Sequence, residues 1–259
     1  MFFAVALVVA VVAAARGVWS PCGLSMLSSL NPVSEGSRGH RFWVTALWYI
    51  AGAVTGGALL GAGLAVAAFS VGRAGLGADV AWALALAAAV VAVASDTRIA
   101  GRSLPVHPRQ VDERWLTTYR RWIYAGGYGV QIGAGFATYI MTAAVYLTAA
   151  LAVLTGSPLQ AFVIAAAFGL ARGLAIAVCA FARTPDSLRA LLGRIDGWTV
   201  PSTWVAASVC AAVAGVAAAV LAGPLAAGVT VGALAVAVAV SRRWSGGVVA
   251  CPVPATLAE

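Results

Sequence analysis

Ser20-Pro21-Cys22-Gly23 is the stretch of this sequence best suited to chemistry. Proline removes a backbone donor and glycine loosens the turn that follows, so a helix running through these residues is interrupted there. The interruption is expected to set the Cys22 thiol beside unpaired carbonyls, which makes Cys22 the candidate catalytic residue and Pro21 and Gly23 the residues that create the break. Arg16 precedes Cys22 by six positions, about 9 Å along a regular helix, near enough to favour a thiolate. Arg172 lies in an otherwise apolar stretch with no acid near it in sequence. A guanidinium there has to be met by carbonyls, water, Tyr139, a thiolate or an anionic group. Gln131, Thr138 and Thr142 add polar groups around Tyr139, and together with Arg16 and Arg172 they outline a candidate polar cavity.

Other chemistries lack their residues. Cys179, Cys210 and Cys251 have neither CxxC spacing nor a nearby histidine, so no zinc site, disulfide framework or other cofactor is expected. Cys179 and Cys210 read as packed thiols in Ala- and Val-rich helices, and Cys251 as an unpaired thiol in the tail. His40 and His107 fall in polar loops and read as solvated. No nucleotide loop or catalytic triad is visible.

The elements that position these residues follow from composition. Of 259 residues, 62% are hydrophobic and only 9% charged, and the mean hydropathy is +0.96. A soluble chain of this length needs far more polar surface than that, so the solvent is a lipid bilayer. The net charge of +8 does not point to nucleic acid, because thirteen of the sixteen arginines fall in alternate loops and the C-terminal tail. A crossing takes about twenty apolar residues. On that basis the sequence predicts an all-α membrane bundle of seven spans near 2–29, 43–70, 78–95, 124–154, 158–182, 203–222 and 224–240. The uncharged run from Trp122 to Ala171 is split at Thr155-Gly156-Ser157-Pro158 and the last run at Gly223-Pro224. The first span carries no basic residue ahead of it and reads as retained, unlike a secretory signal. Arginine placement puts the N-terminus outside and the C-terminus in the cytoplasm of a cell membrane. The polar connection from Asp96 to Ile123 reads as a cytoplasmic interfacial helix.

Sliding the sequence against itself by 117 positions superposes Gly52 on Gly169, Gly56 on Gly173, Ala58 on Ala175 and Trp19 on Phe136, and sets Cys22 against Tyr139. The expected organisation is a first three-helix repeat over 1–117, a second, inverted one over 118–222, and an extra span with a tail over 223–259. The sequence assigns no oligomeric state.

The stretch Trp19-Ser-Pro-Cys-Gly-Leu-Ser-Met-Leu-Ser-Ser-Leu-Asn-Pro, with the Gly-rich Ala51-Gly-Ala-Val-Thr-Gly-Gly after it, resembles the cytochrome c biogenesis family of CcdA and the DsbD transmembrane domain, within the LysE-like membrane superfamily. The resemblance covers most of the first six spans. It implies reductant transfer across the membrane from thioredoxin-like partners through a cysteine pair, one on the first span and one on the fourth, each after a proline. Cys22 matches the first of these, but the repeat register places Thr138-Tyr139 where the second should stand. The expectation is a thiol-disulfide conduit working through Cys22. The alternatives are a small-solute or anion transporter on the same scaffold, or a membrane assembly protein without turnover.

Overall fold

The computed structural model describes residues 1–97, 114–136 and 140–244, with side chains up to residue 240. Thr138, Tyr139, His107, Cys251 and most of the expected interfacial helix lie outside the described residues. All regular structure among the described residues is helical: α1 Phe2–Arg16, α2 Pro21–Ser29, α3 Pro32–Ser37, α4 Phe42–Arg73, α5 Ala78–Asp96, α6 Trp115–Thr118, α7 Arg121–Gly133, α8 Ala144–Leu154, α9 Pro158–Leu174, α10 Pro185–Gly197, α11 Thr199–Ala222 and α12 Pro224–Trp244. Pro21, Pro32, Pro158, Pro185 and Pro224 each open a helix, the position where a missing N–H costs nothing and the fixed φ already fits. Both expected hairpins form, with Gly156 (φ 62°) turning α8 into α9 and Gly223 (φ 88°) turning α11 into α12.

Five helical stretches among the described residues are long and apolar enough to cross a membrane: Phe2–Trp19, Phe42–Arg73, Ala78–Asp96, Pro158–Phe181 and Thr199–Ala222. The fourth expected span is not one helix. It is divided into α7, of 13 residues, and α8, of 11. Gly135, at φ 70°, turns the chain out of α7, and among the described residues the next regular helix begins at Ala144. Nothing in the uncharged run announces that break. Large aliphatic side chains on the outer faces, among them Leu47, Leu59, Val66, Leu159 and Leu225, are exposed, as suits helices surrounded by lipid. Among the described residues of the expected interfacial helix stands the single turn of α6, where Trp115 stacks on Tyr128 at 5.8 Å.

Helix α4 is the central element and packs most closely against α7 and α9, while α5 packs on α11. The α4–α7 contact is backbone on backbone. A Cβ on Gly52 would lie 2.1 Å from the Gly126 carbonyl oxygen, and one on Gly129 would lie 2.1 Å from that of Tyr49. Small residues at four-residue spacing allow such an approach between helices in lipid. Two apolar cores result. One joins α1, α5, α8, α9 and α11. The other joins α2, the first half of α4, α7 and the 3-10 turn Ala175–Phe181 that continues α9.

Candidate functional site

The break after α1 is capped by Ser20. After α1 the chain makes a 3-10 turn over Gly17–Trp19, and Ser20 is extended (φ −71°, ψ 152°). The Ser20 Oγ donates to the Gly17 carbonyl at 2.7 Å and accepts from the Gly23 N–H at 3.0 Å, with Pro21 as the first helical residue behind it. Gly23 is required because a Cβ there would meet the Gly17 and Val18 carbonyl oxygens at 2.5 and 2.6 Å. The carbonyls of Gly17 and Ser20 receive the N–H groups of Ser20 and Leu24. At these positions the expectation of unpaired carbonyls is corrected. Cys22 is fully buried among Met26, Leu27, Tyr49, Tyr128 and Cys179; Cys22, Cys179 and Cys210 are all buried and none is in a disulfide.

Arg172 approaches this break from α9. It is 5% exposed, and its guanidinium carbon stands 5.6 Å from the centre of the Phe168 ring. A Cβ on Gly17 would lie 2.7 Å from Nη2 and 2.8 Å from Nε, so the guanidinium lies flat against the end of the first helix, where the helix dipole favours a cation. Tyr49 and Cys22 lie within reach of its charge. A cavity of about 20 Å³ opens here, lined by Ala14, Gly17, Tyr49, Ile132, Arg172 and Ile176 among others. That is room for one water-sized occupant.

Of the other predicted residues that are described, Arg16, Gln131 and Thr142 do not line this cavity. The Arg16 Nη2 donates to Thr203 Oγ1 at 2.8 Å, and its guanidinium lies 5.9 Å from the Trp19 ring centre. Arg172 is therefore set against the helix break from α9, while Arg16, beside the break, reaches across to α11. Thr142 donates to the Asp96 carboxylate, whose other oxygen receives the Ala143 N–H at 2.6 Å, and Asp96 also feels the Arg16 charge. Gln131 is half-buried on α7, outside the cavity lining. Among the described residues, the polar groups expected in one cavity fall around two centres, one at Arg172 and one at Asp96.

In the second centre Asp96 acts as a remote cap on the start of α8, a carboxylate at the positive end of a half-helix. Asp96→Ala is expected to cost about 1–2 kcal/mol, read as a lower unfolding midpoint of the purified chain in detergent. Asp96→Asn, which keeps one acceptor, should fall between it and the parent. Equal midpoints for Ala and Asp at this position would remove the capping role.

A third polar cluster went unread in the sequence. Glu35 is fully buried and receives the Thr45 hydroxyl at 2.5 Å, the Tyr124 hydroxyl at 3.1 Å and the Arg38 Nη1 at 2.9 Å. His40 Nδ1 stands 3.5 Å from the same carboxylate and 3.3 Å from the Tyr124 oxygen. The available signal was an acid with Arg38 and His40 close behind it, following the Asn31-Pro32 helix start, in a chain that has only eight acids. No group of three or more His, Cys, Asp or Glu side chains placed to hold a metal ion is found among the described residues.

No family model and no solved structure matches the chain. It is 32% identical over 200 residues to the methylamine utilization protein MauF of Paracoccus versutus, an alignment covering 73% of this chain and 71% of that protein. It is 30% identical over 177 residues to the MauF of Paracoccus denitrificans, covering 68% and 64%. Against the MauF of Methylorubrum extorquens it is 31% identical over 162 residues, covering 62% and 56%. The resemblance to the CcdA and DsbD family is thereby overturned, and with it the expected cytochrome c biogenesis role and thiol-disulfide transfer; the transporter alternative gains no support either. The physical reason lies in the motif. Ser20 caps, Pro21 starts a helix and Gly23 clears two carbonyls, so three of its four residues report how a helix is broken and none reports a redox partner. By its similarity across more than two thirds of both chains, this protein belongs to the MauF family of methylamine utilization proteins.

Proposed function

We propose that this chain is a polytopic membrane component of methylamine utilization whose working centre is the Arg172 cavity. The observation that carries the reading is the 32% identity over 71% of a protein named for that process. The chain crosses the membrane seven times, with the five long apolar stretches joined by α7 and α8 as one broken crossing and by α12 as the last. Arg38, Arg41, Arg114, Arg120, Arg121, Arg183, Arg189 and Arg194 mark the cytoplasmic side, which places the N-terminus outside and the C-terminus inside. Residues 1–117 and 118–222 are inverted halves, followed by the extra span and tail. In support, each half begins with a broken crossing, and α4 packs on α9 as α5 packs on α11.

The charge of the cavity limits what it holds. An alkylamine, like a lysine side chain, is protonated at neutral pH. A buried guanidinium repels such a cation, so the chain serves methylamine utilization without holding methylammonium at Arg172. Growth tests the reading. In a bacterium that grows on methylamine, deletion of the gene for this chain should abolish growth on methylamine and spare growth on ammonium. The wild-type chain and Cys22→Ser should restore it. Arg172→Ala should fail while reaching the membrane in normal amount. Undiminished growth of the deletion strain on methylamine would overturn the process, and full rescue by Arg172→Ala would overturn the site.

A further inference from the structure

We propose that the Arg172 cavity holds one small inorganic anion of chloride size as the counter-charge of the guanidinium, an inference that rests on reading this cavity as the working centre and names its occupant. The buried acids meet their donors within the protein. Glu35 has donors from three side chains, and Asp96 has a hydroxyl and a backbone N–H. Arg172 differs: although 95% buried by its 5% exposure, it makes no hydrogen bond among the described residues, and no acid lines its cavity. Tyr49, only 3% exposed, lines the same cavity and likewise makes no hydrogen bond among the described residues. Two strong donors, a guanidinium and a phenol, thus share one void.

Backbone electrostatics act in both senses, since the end of α1 at Gly17 favours a cation and the start of α2 favours an anion. Helix α2, nine residues long, begins at this cavity with Gly23 in its wall, and the first turn of a helix carries partial positive charge. A guanidinium, a hydroxyl donor and a helix start surround the void, and each favours negative charge. Size then selects among anions. About 20 Å³ suits a single water-sized or halide-sized particle. Water alone would satisfy hydrogen bonds and leave the charge uncompensated in a medium where an unpaired ion is costly.

The test uses the full chain purified in detergent with gluconate as the only anion. Chloride or bromide added at constant ionic strength should raise the thermal midpoint along a saturating curve, and sulfate should not. Line broadening of the ³⁵Cl resonance by the wild-type chain, relieved by bromide, reads the same site without any variant. Tyr49→Phe should weaken halide binding roughly tenfold, as loss of one hydrogen bond to an ion does. Arg172→Gln should abolish it, and Cys22→Ser should leave it unchanged. A wild-type midpoint and resonance indifferent to halide, an equal response to sulfate, or halide binding that survives Arg172→Gln would each overturn the anion site. Because the growth assay is separate, a halide-blind chain that still needs Arg172 for growth on methylamine overturns only the anion, and a halide-binding chain dispensable for that growth overturns only the role in methylamine utilization.

Discussion

Gly133→Ala is expected to unseat α7 from α4 and lower both the folded yield and the detergent unfolding midpoint of the purified chain. A Cβ at Gly133 would lie 2.0 Å from the carbonyl oxygen of Ala53 and 2.6 Å from its carbonyl carbon. The obstacle is backbone, so no rotamer change relieves it and the helices themselves have to separate. The same contact is repeated along the pair, since a Cβ on Gly56 would lie 2.2 Å from the Val130 oxygen. Gly52 and Gly56 on one helix interlock with Gly129 and Gly133 on the other, each pair four residues apart. Overpacking a close-packed contact costs about 1–3 kcal/mol. The control is Gly63→Ala, where nothing lies within 4 Å of the added carbon. There the change should stay within about 0.5 kcal/mol, or stabilise slightly through helix propensity. Since α4 carries Tyr49 and α7 carries Ile132, both in the cavity wall, Gly133→Ala should also weaken halide binding. Equal midpoints for Gly133→Ala and Gly63→Ala would sink the packing account.

Such contacts show which parts of this fold a sequence can disclose. The helical class and its long apolar helices were legible because hydropathy integrates over twenty residues and needs no partner. Helix starts were legible at Pro21, Pro158 and Pro224, where proline and its neighbours act locally. The division of the fourth expected span into α7 and α8 was not. Its causes are the positive φ of Gly135 and a cap from Asp96, 47 positions away along the chain at Ala143. Similarly, Ser-Pro-Cys-Gly correctly announced a broken helix, but the partner of the break is Arg172, which only the packing of α9 brings to Gly17. Arg16, nearer in sequence, turns instead toward Thr203. Short polar motifs in an apolar chain disclose backbone geometry well and chemistry poorly, because the chemistry depends on which distant helix arrives.

Glu35→Ala should be the most destabilising side-chain truncation in the polar clusters described. It removes a fully buried carboxylate and strands the hydroxyls of Thr45 and Tyr124 together with the Arg38 guanidinium. Breaking a buried ionic network by deleting one member costs about 3–5 kcal/mol. Here the lower end applies, because the Arg38 side chain is 32% exposed and rehydrates when released. Glu35→Gln keeps acceptors for one or both hydroxyls and loses the charge, so it should be intermediate. Arg38→Ala removes the most solvated partner and should cost no more than about 1 kcal/mol. Unfolding midpoints of the three purified variants in detergent check that order, and a ranking with Arg38→Ala at the bottom would show that the carboxylate is held for the arginine alone. The cluster also reaches the cavity. Thr45 lies one turn before Tyr49 on α4, and Tyr124 lies two turns before Ile132 on α7, so Glu35 clamps the two helices whose next turns form the cavity wall. Loosening that clamp moves Tyr49 relative to Arg172. Glu35→Ala should therefore weaken halide binding although Glu35 itself lies outside the cavity lining.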